Sequence, residues 1–208
     1  MKQKLDSFNV LSLIRCKCFH LPNSKYTIIE TGPATGIIYI TEASPYFISG
    51  HVRLKGKDQG RYPYNYLEMI DYIFGHEENV IEVCSRGVSN DKDIFTVDIN
   101  PETNPTVTGD AQYLDSIPDE KFSRWRADPP YSESRALSMY NTDLPSPFKL
   151  LAAGARVCKP NSLLFLLLEP QNYQWCPKNV RRIGLVYISV VPNNECQKNR
   201  TCLYFCSS

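Results

Sequence analysis

Between residues 80 and 191 the chain repeats one plan: a short apolar run, a carboxylate at or near its exit in most cases, then a helical or polar stretch. The runs are Val80–Cys84, Ile94–Asp98, Val107–Asp110, Trp125–Asp128, Ser162–Leu168 and Ile183–Val191. Each is too short for a stable helix and is bounded by turn residues, so each reads as a strand. Strands that alternate with crossovers form a mostly parallel sheet with helices on both faces, an α/β architecture. The helices expected between them are Tyr62–Phe74, where Tyr66, Met69, Ile70, Ile73 and Phe74 recur at helical spacing, Glu133–Asn141 and Phe148–Cys158.

In open sheets of this kind ligands bind at the carboxyl ends of the strands, near the point where strand order reverses. Glu82, Asp98, Asp110 and Asp128 all fall at or near strand exits, so the four carboxylates are expected to line one rim. Lone carboxylates avoid burial without a partner, which points to chemistry more than to packing. An acid after the second strand of such a sheet grips ribose hydroxyls. A negative rim also suits a cationic ligand.

Asp128-Pro129-Pro130-Tyr131 is the most distinctive of these exits. Proline fixes φ and restricts the residue before it, so the acid is held extended at the strand end. Carboxylate and carbonyl oxygens only accept hydrogen bonds, so the natural ligand of this turn carries two N–H donors, as an exocyclic amine does. Tyr131 offers a flat face for a ring. Arg124 and Arg126, just upstream, are candidate phosphate contacts.

At these residues the chain resembles the class I amino-methyltransferases that use S-adenosylmethionine, whose signature is Asp/Asn/Ser-Pro-Pro-Tyr/Phe. The resemblance covers roughly residues 60–206. It implies a Rossmann-like sheet of seven strands, closed by an antiparallel hairpin from Arg182–Val191 and Thr201–Cys206. By the same resemblance Val80–Gly87 is the first cofactor motif, with Glu82, Cys84 and Gly87 beside the cofactor. Asp98 and the adjoining Ile99 lie at the ribose, and Asp110 and Ala111 beside the adenine. Asp128, Pro129, Pro130 and Tyr131 are the catalytic tetrapeptide. The first motif departs from the family in keeping a single glycine, Gly87, where backbone must approach the cofactor closely. The aspartate form of the tetrapeptide points to adenine N6 in DNA. RNA bases, guanine N2 or adenine N6, are the alternative, as is a non-catalytic module that binds nucleic acid or cofactor. Sequence-specific DNA enzymes of this kind carry a sizeable recognition domain. Here that role would fall to the N-terminal β element or to a partner subunit, or be absent.

Residues 1–60 are expected to form a small β element ahead of a methyltransferase-like domain at 61–208. Within it Val10–Ile14 and Tyr26–Glu30 are β-type runs, Gly32–Gly36 turns the second into Ile37–Ile40, and Tyr46–Arg53 is a further strand. Net charge is only +1, so contact with a polyanion needs local patches. The candidates are Arg53, Lys55, Lys57 and Arg61 after the last of these strands, and Lys178 and Arg181 further on. Tyr173 and Trp175 sit in a loop able to stack on a base. Eight scattered cysteines lack paired metal-ligand spacing, so free thiols and no metal site are expected. No apolar run approaches the length of a membrane span, and the first nine residues lack a signal-peptide plan, so the expected location is intracellular and cytoplasmic.

Overall fold

The computed structural model of the 208-residue chain describes residues 9–20, 22–55, 62–84, 94–169, 176–191 and 198–207. Its elements run β1 (Cys18–His20), β2 (Tyr26–Ile29), β3 (Thr35–Thr41), β4 (Ser44–Lys55), α1 (Tyr66–Phe74), β5 (Val80–Val83), β6 (Ile94–Asp98), β7 (Val107–Thr108), β8 (Phe122–Ala127), α2 (Glu133–Tyr140), α3 (Pro147–Val157), β9 (Cys158–Leu168), β10 (Val180–Val191) and β11 (Lys198–Ser207). The fold is mixed α/β, built on one sheet in the order β1-β2-β3-β4-β10-β11-β9-β8-β5-β6-β7.

Five strands, β9-β8-β5-β6-β7, pair in parallel. β11 lies antiparallel between β9 and β10. The sheet expected from the sequence had seven strands; the described one has eleven, because β4 pairs in parallel with β10 and carries β3, β2 and β1 onto the same sheet. The N-terminal strands are extensions of that sheet, since their free edge is satisfied by β10 and their apolar face needs the same cover.

That cover differs on the two faces. On one, Met69, Ile70, Ile73 and Phe74 of α1 meet Phe165, Leu167, Ile183, Ile188, Ile48, Val52, Ile38 and Ile29 in a single core. On the other, Leu150, Leu151 and Ala155 of α3 meet Ile81, Val83, Trp125, Ala127, Leu164 and Leu166. Alternation along the strands divides the two sets, as the two-residue period requires, with irregularities in β8 and β10 shifting the parity at Phe122 and Ile183.

Val10–Leu13 is a 3-10 turn, not the strand expected there. The Asn9 side chain accepts a hydrogen bond from Leu11 N at 3.0 Å and the Ser12 hydroxyl donates to Asn9 O at 2.7 Å. Such short-range bonds offer the backbone an alternative to a sheet ladder.

α3 approaches β8 so closely that a Cβ on Gly154 would lie 2.9 Å from the Trp125 ring, which is fully buried. Overpacking of this kind costs about 1–3 kcal/mol, more than the up to ~1 kcal/mol that alanine gains over glycine in a helix. Gly154→Ala is therefore expected to lower the melting temperature by a few degrees, read by circular dichroism. An unchanged or raised value would show that α3 does not seat on Trp125.

Candidate active site

Strand order reverses between β5 and β8, because β6 lies on one side of β5 and β8 on the other. A cleft of about 690 Å³ opens at the carboxyl ends of these strands. That volume lies within the range of small-molecule and cofactor sites. It is lined by Cys84 after β5, Asp98 and Ile99 at the end of β6, Asp110 and Ala111 after β7, and Pro130 after β8. The far wall is the segment from Tyr140 to Ser146 between α2 and α3, with Leu137, Tyr113 and Lys149 at the mouth.

Local hydrogen bonds shape each acid. Asp98 is buried, and its Oδ1 accepts from Asn100 N at 2.9 Å while its carbonyl accepts from Gly109 N at 2.9 Å, which folds the β6 and β7 exits together. Asp110 Oδ1 accepts from Gln112 N at 2.9 Å, and the Gln112 side chain also donates to Asp110 while its Oε1 accepts from Ser146 N at 2.8 Å. Gln112 thus ties the β7 exit to the start of α3. Nothing in its sequence position marked it, and the same holds for Tyr113, Lys149 and the α2–α3 segment. Cys84 has a φ of 56°, and its N–H donates to Val97 O at 3.0 Å. Burial pushes its thiol well above the ordinary range, with the Asp98, Asp128 and Asp110 charges adding to the effect.

Of the tetrapeptide, only Pro130 lines the cleft. Asp128 is buried and accepts a hydrogen bond from the Tyr131 hydroxyl. The Tyr131 ring is 6% exposed with the Arg135 guanidinium 5.6 Å above it. Ser132 caps α2 through a bond from Arg135 N, so the tetrapeptide runs straight into a helix that draws the tyrosine against its first turn. In this arrangement Tyr131 holds the carboxylate and is not an open platform for a base.

Glu82 departs furthest from the expected rim. Its neighbours Ile81 and Val83 belong to the α3 core, so Glu82 points to the opposite face, beside its cross-strand partner Arg126. It is completely buried, and neither carboxylate oxygen has a hydrogen-bond partner among the described residues. Burial pushes its carboxyl up to about 7, Arg126 opposing and Asp128 reinforcing the shift. The nearby Tyr62 hydroxyl is likewise buried, has no hydrogen-bond partner among the described residues, and is raised well above the usual phenol by burial and then by Glu82.

Arg124 and Arg126 share that face and are almost wholly buried. Both donate to Asp71 Oδ1 on α1, at 2.8 and 3.0 Å, and Arg124 also donates to the Gly75 carbonyl at 2.9 Å. Burial, followed by the neighbouring Arg126, lowers the Arg124 guanidinium to about 10. These two arginines fasten α1 to β8 and are corrected from phosphate contacts to structural cations. Asn179, next to Lys178, lies with Asp119, Glu120 and Cys158 at the rim where β8 and β9 begin. Lys178 and Arg181, at the start of β10, therefore lie at the rim opposite Asp128. Arg53 is exposed on β4. Gly87, Lys57, Arg61, Tyr173 and Trp175 lie outside the described residues, as does the side chain of Lys55. Among the described residues no three His, Cys, Asp or Glu side chains gather as a metal site, and no helix is long and apolar enough to cross a membrane.

No protein-family model matches the chain, and no curated protein matches its sequence. Its backbone is similar to TrmN from Thermus thermophilus at 10% identity and a TM-score of 0.46, over 64% of this chain and 45% of that one. It is also similar to a SAM-dependent methyltransferase from Aquifex aeolicus, at 14% identity and a TM-score of 0.40, over 64% of this chain and 84% of the other. An rRNA methylase from Streptococcus thermophilus aligns at 10% identity and a TM-score of 0.35, over 63% of this chain and 88% of that one. The chain thus spans less than half the length of TrmN.

The Glu82 carboxyl sets a pH dependence of stability. With a folded value near 7 against an ordinary 4.5, the protonated form favours the fold, so this contribution is complete below about pH 4.5 and is lost as pH rises through 7. The loss is on the order of 3 kcal/mol. Glu82→Gln is expected to flatten the fall in stability between pH 5 and 7, measured by denaturant titration at each pH. A variant curve parallel to the parent's would show that Glu82 ionises normally.

Proposed function

We propose that this protein transfers a methyl group from S-adenosylmethionine to an exocyclic amine of a nucleic-acid base, with adenine N6 in DNA as the first substrate. The observation that carries the reading is Asp128, held at the end of β8 by Pro129, Pro130 and Tyr131, with a cleft-lining acid at the exit of β6 and another at that of β7.

The residues of the cleft fit such a cofactor in part. Asp98 stands where a ribose would be gripped, Asp110 and Ala111 border the space for a flat base, and a sulfonium gains from the negative wall. Glu82 does not contribute, since it faces the other side of the sheet. Bound there, the cofactor would supply an electrophilic methyl carbon. Asp128 and the Pro129 carbonyl accept the two N–H hydrogens of the target amine and leave its lone pair directed into the cleft. Tyr131 fixes Asp128 through its hydroxyl. On methyl transfer from a cofactor bound there, Asp128 would take the proton that leaves the nitrogen. Positioning and fixed electrostatics account for the acceleration, because in-line transfer needs no covalent intermediate on the protein. A base within a duplex has to be flipped out to reach this site.

The test is transfer of labelled methyl from S-adenosylmethionine to separate pools of duplex DNA, single-stranded DNA and structured RNA, followed by digestion to nucleosides. Label in N6-methyladenine from DNA is expected, and Asp128→Ala should lose it by about 100-fold or more while keeping its circular dichroism spectrum. Label in RNA guanine or adenine instead would move the substrate to RNA. No label in any pool, with no cofactor binding by calorimetry, would remove the enzyme reading.

A further inference from the structure

The face of the N-terminal strands that turns away from the α1 core is dominated by aromatic and apolar side chains and is covered by no helix among the described residues. Ile29, Ile38, Ile48, Val52 and Ile188 point into the core. Their alternates point outward, and Phe19, Tyr26, Ile37 and Tyr187 are each about half exposed, at 50, 47, 55 and 45%. The register sets them in rows. Phe19, Ile28 and Tyr39 are direct neighbours across β1, β2 and β3, and Ile37, His51 and Tyr187 across β3, β4 and β10. Tyr26 meets Tyr39 edge-on, with ring centroids 5.3 Å apart. The Ser189 hydroxyl pairs with His51 Nε2 at 2.7 Å, which confirms that β4 and β10 present these residues to one side.

The charge on this face has one sign. Its strand positions on β1–β4 hold no acid; Arg53 is exposed there and His51 lies beside it. Glu42 and Lys25 sit together in turns at the far rim, where Glu42 N donates to Lys25 O. Arg53 lies toward the other rim, because β4 runs parallel to β10, β10 and β9 are both antiparallel to β11, and β9 is parallel to β8. That is the rim at which Asp128 leaves β8.

We propose that this face is a binding platform for single-stranded nucleic acid, with bases stacked on Phe19, Tyr39 and Tyr187 and the backbone held by Arg53. Aromatic side chains on an open sheet with a basic margin suit unpaired bases, because every base has a flat face while a duplex hides its own. With strands ~4.8 Å apart, Tyr187 lies ~14 Å across the sheet from β8 and Phe19 ~34 Å from it, a track several nucleotides long. The inference stands on the surface itself and does not require the methyl-transfer reading, although the shared rim would feed one strand toward Asp128.

The experiment is fluorescence anisotropy of the full chain, without cofactor, against fluorescein-labelled 15-nucleotide single-stranded DNA, the matching RNA and the DNA duplex. Single strands are expected to bind more tightly than duplex. Phe19→Ala and Tyr187→Ala should each weaken single-strand binding about five-fold or more with unchanged melting curves, and Tyr187→Trp should retain it. Arg53→Gln should reduce the slope of log affinity against log salt by about 1. Equal affinity of parent and alanine variants, no binding of any probe, or a duplex preference would overturn the proposal. So would a concentration-dependent dimer in sedimentation that Ile37→Asp dissociates, since a second copy would then cover the face. Because no cofactor is present, failure here and failure of methyl transfer are separate results.

Discussion

Asp71 carries more of this architecture than its single carboxylate suggests. It stands on α1, partly open to solvent, and one of its oxygens accepts from two arginines of β8 that are otherwise sealed under the helix. Two buried guanidinium groups on alternate residues of one strand repel each other and have lost their water, and without the shared acid neither would be tolerable. The ion pair therefore fixes where α1 lies on the sheet and where β8 ends. Asp128 lies two residues beyond Arg126, and Pro129 restricts it to an extended conformation.

The two-residue period of the strands then decides what each acid can do. Asp98 and Asp110 come at or past the last ladder residue of their strands, where the backbone turns and side chains reach the cleft. Glu82 comes one residue before its strand ends, and parity sends it to the face of α1. There it shares with Arg126 and Tyr62 a region of low dielectric in which an isolated carboxylate is costly, and its raised protonation range is the response. Its raised carboxyl sits directly across from Arg126, the strand neighbour that Asp71 also holds. The acid at the exit of the first parallel strand is thus coupled to the anchor of β8 more directly than to the cleft.

Much of the fold was legible because its signals are local. The apolar runs at 80–84, 94–98 and 162–168 read as strands, the spacing of Tyr66, Met69, Ile70, Ile73 and Phe74 marked α1, expected from Tyr62 and formed from Tyr66, and the proline-broken segment before Phe148 put the start of the next helix one residue from that of α3. Asp98 and Asp110 line the cleft, and position at a strand end is a property of sequence order. The misreadings came where a partner remote in sequence decides. Arg124 and Arg126 resemble a surface patch until Asp71, more than fifty residues earlier, is brought under them. Tyr131 looks like a free aromatic until Ser132 starts a helix that puts Arg135 over its ring. The union of β4 with β10 was invisible for the same reason, since parallel pairing across more than a hundred residues leaves no mark in either strand alone.

That union changes how the two ends of the chain relate. β4 pairs with β10 from Ile48 to Lys55, and Ile48, with Ile38 and Ile29 on the strands beyond it, is buried in the same core as Met69 and Ile70 of α1. α1 in turn is the helix whose Asp71 holds β8. The N-terminal strands, the helix and the strand bearing Asp128 are consequently connected by core packing and buried ion pairs. Close-packed interiors transmit displacement because they compress little. A displacement of β1–β4 would thus reach β8 through Met69, Ile70 and Asp71.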